Sequence, residues 1–467
     1  MGTEFLDEFE RVAVEGLKEL YGSEWADCRI QSGTLANVAV ELGTTRPGDT
    51  IMSISLSAGS HTSHTSIGFP VFYGLNIVDI PFDDENVNVD LDRLESLLKE
   101  QEPKPKLLIL GGSLFLFRFP VKEVRALLDR YSPETVLLFD AAHVDGLIVG
   151  GAYPNPLLDG AQIISGSTYK TFGGPPGGFV VGNGEEIYKK VKRAIYPGIT
   201  TSYHFNRIGA LAVTCLNLLK HATTYAPQIV KNAQALGAAL DARGVNIVGR
   251  DLGYTQTHQV LIYMSEGDDM RSKEAGALLA DANIITSPQL MPIEDRKDVR
   301  NPRGIRIGTQ ELTRLGMKEK EMQVAADFIA DVLIDKKAPS EIAPQVIAER
   351  NASRNFERAS STALLRVAEG IWVTKKDRPW LLRLQELEAQ GRIGAGQERP
   401  QADQPPIRAV RLQENGPRRR LNDERPRRRA APGRLLCDLL EARGVGHPLT
   451  GDRPAAAVDV LQGQVTP

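Results

Sequence analysis

Cysteines, aromatic residues and long apolar runs are all scarce in this chain. Its three cysteines, Cys28, Cys215 and Cys437, lie far apart and form no C-x-x-C pair. That excludes a disulfide framework and a zinc ribbon and suits a reducing compartment. No apolar run approaches the roughly 18–20 residues a membrane-spanning helix needs. The acidic opening Met-Gly-Thr-Glu-Phe-Leu-Asp-Glu lacks the basic-then-apolar order of a secretory signal. Leu6 occupies the position where N-myristoylation wants Ser or Thr. A surplus of either charge is missing too: 56 Lys and Arg against 59 Asp and Glu leave −3, which argues against a nucleic-acid partner. The expectation is a cytoplasmic protein that contacts neither membrane nor nucleic acid.

What is present is a regular alternation. Phe9, Val12, Val14, Leu17 and Leu20 recur at helical spacing before Gly22, predicting an amphipathic helix over 8–21. Short Val- and Ile-rich runs follow at 50–54, 76–80, 106–110, 135–139, 161–164 and 178–181, with helical patterns such as 91–99 and 121–131 between them. Near-continuous apolar strands alternating with helices predict an α/β fold with a mainly parallel sheet covered on both faces. In such sheets ligands bind just past the carboxyl ends of the strands. A long helical stretch at 207–240, a strand-like 259–263, a helix at 273–282, a short run at 304–307 and a helix at 319–336 predict a second, smaller α/β domain. The expected division is a large domain over 1–212, a small domain over 213–345 and a basic tail over 346–467. Past about residue 375 the composition turns to Arg, Pro, Gln and Ala, with runs at 417–420 and 425–429. That reads as a disordered, solvated appendage; a basic arm for a partner and a shifted reading frame are the alternatives.

Four segments carry chemistry. Gln31-Ser32-Gly33-Thr34-Leu35-Ala36-Asn37 precedes a helical pattern at 38–42, where backbone N–H groups and hydroxyls suit a phosphate; an ordinary Ser cap is the plainer reading. Asp140 leaves a buried strand with His143 three residues on. A carboxylate there can keep a pyridine nitrogen protonated, or merely cap the next turn. Ser165-Gly166-Ser167-Thr168-Tyr169-Lys170-Thr171 places a single lysine between hydroxyl residues and a glycine-rich turn. Shielding lowers a lysine's pKa toward nucleophilic reactivity, and the segment is not a Walker loop. Arg306 interrupts the short apolar run, as a carboxylate grip or one half of a structural ion pair. His61 and His64 stand three apart without a third metal ligand nearby, which discounts zinc; an imidazole face on a cofactor ring and plain surface histidines both remain open.

In this order, the segments resemble the serine hydroxymethyltransferase family of fold-type I pyridoxal-phosphate enzymes, over roughly residues 4–335. The resemblance implies an aspartate aminotransferase-like fold with a large seven-stranded domain and a smaller C-terminal domain. It implies pyridoxal 5'-phosphate as cofactor, an amino-acid substrate, and a homodimer or dimer of dimers with active sites at the interface. By residue it implies Ser32, Gly33 and Thr34 at the phosphate, His61 against the ring, Asp140 and His143 at the pyridine side, and Lys170 as the Schiff-base lysine. Ser167 and Tyr169 belong to the same segment, and Arg306 maps onto the arginine that holds the substrate carboxylate. Thr201 and Ser202 stand where the family has a Gly-Gly pair reaching the neighbouring subunit's phosphate.

The departures are specific. Tyr169 replaces a histidine, Pro176 an arginine, Ser60 a glycine, and Thr62 a leucine of the folate pocket, while Leu56 is kept. Tetrahydrofolate use is therefore doubtful, and a threonine aldolase or transaldolase stands close behind hydroxymethyl transfer. The sequence opens at the helix that in the family follows an arm carrying a catalytic glutamate and two tyrosines. A truncated copy is the expectation, and an inactive cofactor-binding relative the alternative.

Overall fold

Strands build the centre of the molecule, those inside the main sheet buried on both faces, and its computed structural model describes residues 4–352 apart from 266, 268–269, 292–293 and 295–299. The strands are β1 (Trp25–Asp27), β2 (Thr50–Ile54) and β3 (Asn76–Ile80), then a separate ribbon of β4 (Phe82–Asp83) and β5 (Asn88–Val89). β6 (Leu107–Gly111), β7 (Val136–Asp140), β8 (Ile163–Ser167) and β9 (Gly178–Gly182) follow. The sheet has seven strands in the order β1-β9-β8-β7-β6-β2-β3. Neighbours from β3 through β8 run parallel, and β9 is antiparallel to both β8 and β1.

Alternation along each strand divides two cores. Leu108 and Leu110 enter one and Leu107 and Ile109 the other; Leu137 and Phe139 likewise face away from Leu138. This period of two, with both sets apolar, is why the strands read as unbroken apolar runs. One face is covered by the helices Glu4–Tyr21, Leu91–Glu100 and Val121–Tyr131, and the other by Gly33–Thr44 through Ala36, Ala39 and Val40.

The helix Phe205–Ala242 runs unbroken through the division expected at 212/213. Ile208 to Ile229 pack into the first core, whereas Ala233, Leu236 and Leu240 belong to another beneath a smaller sheet. That sheet holds β10 (Gln259–Tyr263), β11 (Ser287–Gln289) and β12 (Gly304–Gly308) in the antiparallel order β10-β12-β11. Helices Ser272–Asp281 and Glu319–Leu333 cover it.

Among the boundaries that depart from the sequence pattern, two are instructive. β8 extends to Ser167 because Ser165, Gly166 and Ser167 keep pairing with β9, and Gly166 leaves room for the Phe179 ring, whose Cζ would lie 2.2 Å from an added Cβ. The tail expected from 346 does not begin as coil: residues 339–352 are helical, with Ile342 and Val346 one turn apart on the small core. The arginine-rich runs lie outside the described residues. No helix among the described residues is long and apolar enough to cross a membrane.

Candidate active site

From β2 the chain passes outward to β3, and the next parallel strand, β6, returns on the other side of β2. The reversal opens a crevice at the carboxyl ends of the strands. A pocket there is lined by Ser32, Gly33 and Thr34, by His61 and Asp140, and by Ser167, Tyr169 and Lys170. Eight of the residues singled out in the sequence thus meet in one place.

At one end lies the start of the helix Gly33–Thr44. Ser32 is its N-cap and accepts from the Leu35 N–H at 3.2 Å, so the helix begins five residues before the pattern at 38–42. The Ser32 cap does not exclude an anion site, since a capped helix start still presents its first N–H groups outward. Opposite it, Ser167 Oγ is buried with no hydrogen-bond partner among the described residues, and a Cβ on Gly33 would come within 3.4 Å of the Ser167 Cβ. An unsatisfied buried hydroxyl facing a helix N-terminus fits an anion.

At the other end is Asp140, 2% exposed. Its Oδ1 accepts the Ala142 N–H at 3.0 Å, so it does cap the turn. Oδ2 accepts from Asn37 Nδ2 at 2.9 Å and faces His64 Nε2 at 3.2 Å. Burial pushes this carboxyl up, but the His64 hydrogen bond and the charges of His64, His61 and Lys170 together outweigh it and hold the group down at about 2. Asn37 Nδ2 also donates to Ser63 Oγ at 2.8 Å, and Ser63 Oγ lies 2.7 Å from His61 Nδ1. The Ser63 N–H donates to that same Nδ1 at 3.1 Å, which leaves the ring's proton on Nε2. Burial lowers the His61 pKa, and His64, Lys170 and Arg306 add to it.

Lys170 is half-buried on the turn after β8. Burial lowers its pKa and Arg306 adds to the effect, against Asp140 and Asp145. Beneath it, Asp145 Oδ2 accepts the Ser167 N–H at 2.8 Å and Oδ1 the Tyr21 hydroxyl at 2.6 Å. This anchors the end of β8 to the first helix.

Arg306, on β12, donates through Nη1 to Ser113 O at 2.6 Å and Gln289 Oε1 at 3.5 Å. No carboxylate among the described residues pairs with it, so the structural ion pair is not what the fold provides. His143 is buried beside it, with burial, then Lys170 and Arg306, pushing its pKa well down. Tyr169 lines the pocket with half its surface in solvent. Thr201 and Ser202 are exposed and do not line this pocket. Asn37 and Gln259 are not singled out by the sequence, whereas His64, open there between a ring contact and a surface histidine, is buried against Asp140. A buried Asn amid Ala36–Val40 was the one local signal, since an apolar run holds a polar group only where it is partnered.

A helix N-terminus beside a buried hydroxyl, an amine and a buried carboxylate line one crevice, a set of groups that fits the phosphate, aldehyde and pyridine nitrogen of pyridoxal phosphate. With this sheet, they define a fold-type I pyridoxal-phosphate enzyme. A family model described as serine hydroxymethyltransferase matches residues 1–329. The curated serine hydroxymethyltransferase of Saccharolobus solfataricus is 42% identical over 345 residues, 73% of this chain and 77% of that protein. That of Aeropyrum pernix is 42% identical over 349 residues, 74% of this chain and 77% of that protein. Among solved structures, L-threonine transaldolase from Pseudomonas fluorescens in its internal aldimine state matches with a TM-score of 0.69 and 26% identity, over 75% of this chain and 78% of that one. The chain belongs to the serine hydroxymethyltransferase family, and it is a pyridoxal-phosphate enzyme of the transferase and aldolase type.

Proposed function

We propose that the chain makes and breaks the Cα–Cβ bond of β-hydroxy amino acids, interconverting serine or threonine with glycine, with pyridoxal phosphate carried on Lys170. The observation that carries this reading is Arg306, a guanidinium with no carboxylate partner among the described residues, on the strand next to the crevice that holds Lys170 and Asp140. Bound at Lys170, pyridoxal phosphate supplies the electron sink that makes a bond to the substrate's Cα labile.

The chain's own groups do the rest. The N–H groups of Gly33 and Thr34 and the Ser167 hydroxyl receive the phosphate. Asp140, kept ionised by His64 and Asn37, holds a proton on the ring nitrogen. His61, neutral and protonated on Nε2, would pack against the cofactor ring, with His143 on its pyridine side and Tyr169 at the mouth. Arg306 would grip the substrate carboxylate and so orient the bonds at Cα. Lys170, its pKa lowered, would carry the cofactor and, when free, accept a proton as a base. Thr201 and Ser202 face solvent, where hydroxyls can reach the phosphate of a second copy in a homodimer.

The acceptor divides two versions of this reading. Thr62 is exposed beside the pocket and the Ser60 hydroxyl is occupied at 3.0 Å by His64 Nδ1. A threonine in place of an apolar pterin contact favours aldehyde over tetrahydrofolate as partner, whereas 42% identity to curated serine hydroxymethyltransferases favours hydroxymethyl transfer. Serine and threonine cleavage assayed with and without tetrahydrofolate separates them. Folate-independent cleavage of threonine supports the aldolase version, and strict folate dependence with serine supports hydroxymethyl transfer. No cleavage of either overturns the reading.

A further inference from the structure

The loop after β6 is joined to the start of β10 by a ladder of hydrogen bonds. Thr255 Oγ1 and the Gln256 N–H donate to Leu116 O at 3.1 and 2.7 Å, and the Arg118 N–H donates to Gln256 Oε1 at 3.1 Å. Thr257 Oγ1 donates to Phe115 O. At the head of the ladder is Gln259, 1% exposed. Its Oε1 accepts the Phe115 N–H at 2.7 Å, and that bond decides the orientation of the amide, because a main-chain N–H needs an acceptor. Nε2 is therefore a donor, to Ser113 O at 3.0 Å and to His143 Nδ1 at 3.2 Å. Arg306 Nη1 donates to the same Ser113 carbonyl at 2.6 Å.

We infer that Gln259 is a positioning residue: its amide fixes His143 as a neutral imidazole protonated on Nε2 and, through the shared Ser113 carbonyl, ties that ring to Arg306. A nitrogen that accepts a hydrogen bond has no place for its own proton, so the tautomer follows from the amide. Burial opposes a charge on the ring, and the groups that face it, Lys170, Arg306, His258 and His61, act in the same direction. His258 stacks on it at 5.8 Å between centroids and 17° between planes. No described residue bonds Nε2, which leaves that N–H as a fixed donor to a bound molecule. Gln259 and Arg306 also lie on paired strands, where Gln259 faces Gly308 and Arg306 faces Leu261. The amide thus registers the strand carrying the substrate arginine against the loop that borders the crevice. The consequence for catalysis rests on the function proposed above; the tautomer does not.

The full chain labelled with 15N-histidine tests this by long-range 1H–15N spectra at pH 7, with and without pyridoxal phosphate, the His143 signal being assigned from His143→Asn. The expected pattern is a neutral ring protonated on Nε2. Gln259→Glu exchanges the amide donor for an acceptor and converts His143 to the Nδ1–H or doubly protonated form. It also lowers kcat/KM for β-hydroxy amino-acid cleavage by about tenfold or more, the scale found when a group orienting a functional histidine is lost. An Nδ1–H ring in the wild type, or an unchanged ring in Gln259→Glu, overturns the inference. The wild-type spectrum decides even where a variant fails to fold. The expected tautomer in a chain that cleaves neither serine nor threonine sustains the inference while overturning the proposed reaction.

Discussion

Replacing Arg306 separates carboxylate recognition from every other part of substrate binding. Nη1 is engaged by Ser113 O and Gln289 Oε1, which leaves the Nε–Nη2 edge of the fork without a protein acceptor among the described residues. Two parallel charge-assisted hydrogen bonds fit that edge. At about 1.5–3 kcal/mol for each such bond, Arg306→Ala should weaken glycine binding to the cofactor-loaded chain by roughly 3–6 kcal/mol, on the order of 10²- to 10⁴-fold. Arg306→Lys keeps the charge but not the fork and should lose about tenfold or more. Methylamine, which offers the same amine without a carboxylate, is the control. Its affinity, read from the cofactor's absorbance as glycine's is, should change by no more than about threefold in either variant. Equal losses for glycine and methylamine, or none for glycine, would refute a carboxylate grip at Arg306.

Three further outcomes follow from the site. Asp140→Asn cannot hold the charge that keeps a ring nitrogen protonated, so cofactor capture should persist while turnover falls at least about a hundredfold; retained turnover counts against Asp140. Ser167→Ala deletes a hydroxyl with no partner among the described residues. Urea stability of the cofactor-free chain should stay within about 0.5 kcal/mol, with pyridoxal-phosphate affinity down about five- to tenfold. Burial, aided by Arg306 and Lys170, lowers the His258 pKa to about 3 from its usual 6.5. As pH falls below 6.5 the unfolded chain takes up that proton first, so His258 costs stability progressively until pH reaches the folded value. Glu41 and Asp145, raised by burial, act oppositely, so the comparison is between variants: His258→Asn should gain about 2 kcal/mol on wild type between pH 7 and pH 5. Parallel stability curves would contradict a buried neutral ring.

How far the sequence reveals this protein depends on how local each signal is. Strands such as β2 and β10 are legible to the residue, because burial leaves short apolar runs with sharp ends. β8 is less so, since its last residues are Ser165, Gly166 and Ser167 and only their pairing with β9 makes them strand. The helix Phe205–Ala242 serves two cores in succession, and one continuous helical pattern carries no mark where one core gives way to the next. Lys170, Asp140 and Ser32 announce themselves by standing at element ends among small residues. Asn37 and Gln259 do not, because each acts on a partner remote in sequence: 103 residues separate Asn37 from Asp140, and 116 separate Gln259 from His143. Family likeness supplies the order of the motifs but not these supports.

The central claim is that Lys170 carries the cofactor. Incubating the chain with pyridoxal phosphate, reducing with borohydride and mapping the modified peptide by mass spectrometry tests it most directly. The account predicts a single dominant pyridoxyl-lysine at position 170, within Ser165–Thr171, and its loss in Lys170→Ala with the fold retained by circular dichroism. Label spread over surface lysines such as Lys189 and Lys192, or unchanged labelling in Lys170→Ala, would contradict it.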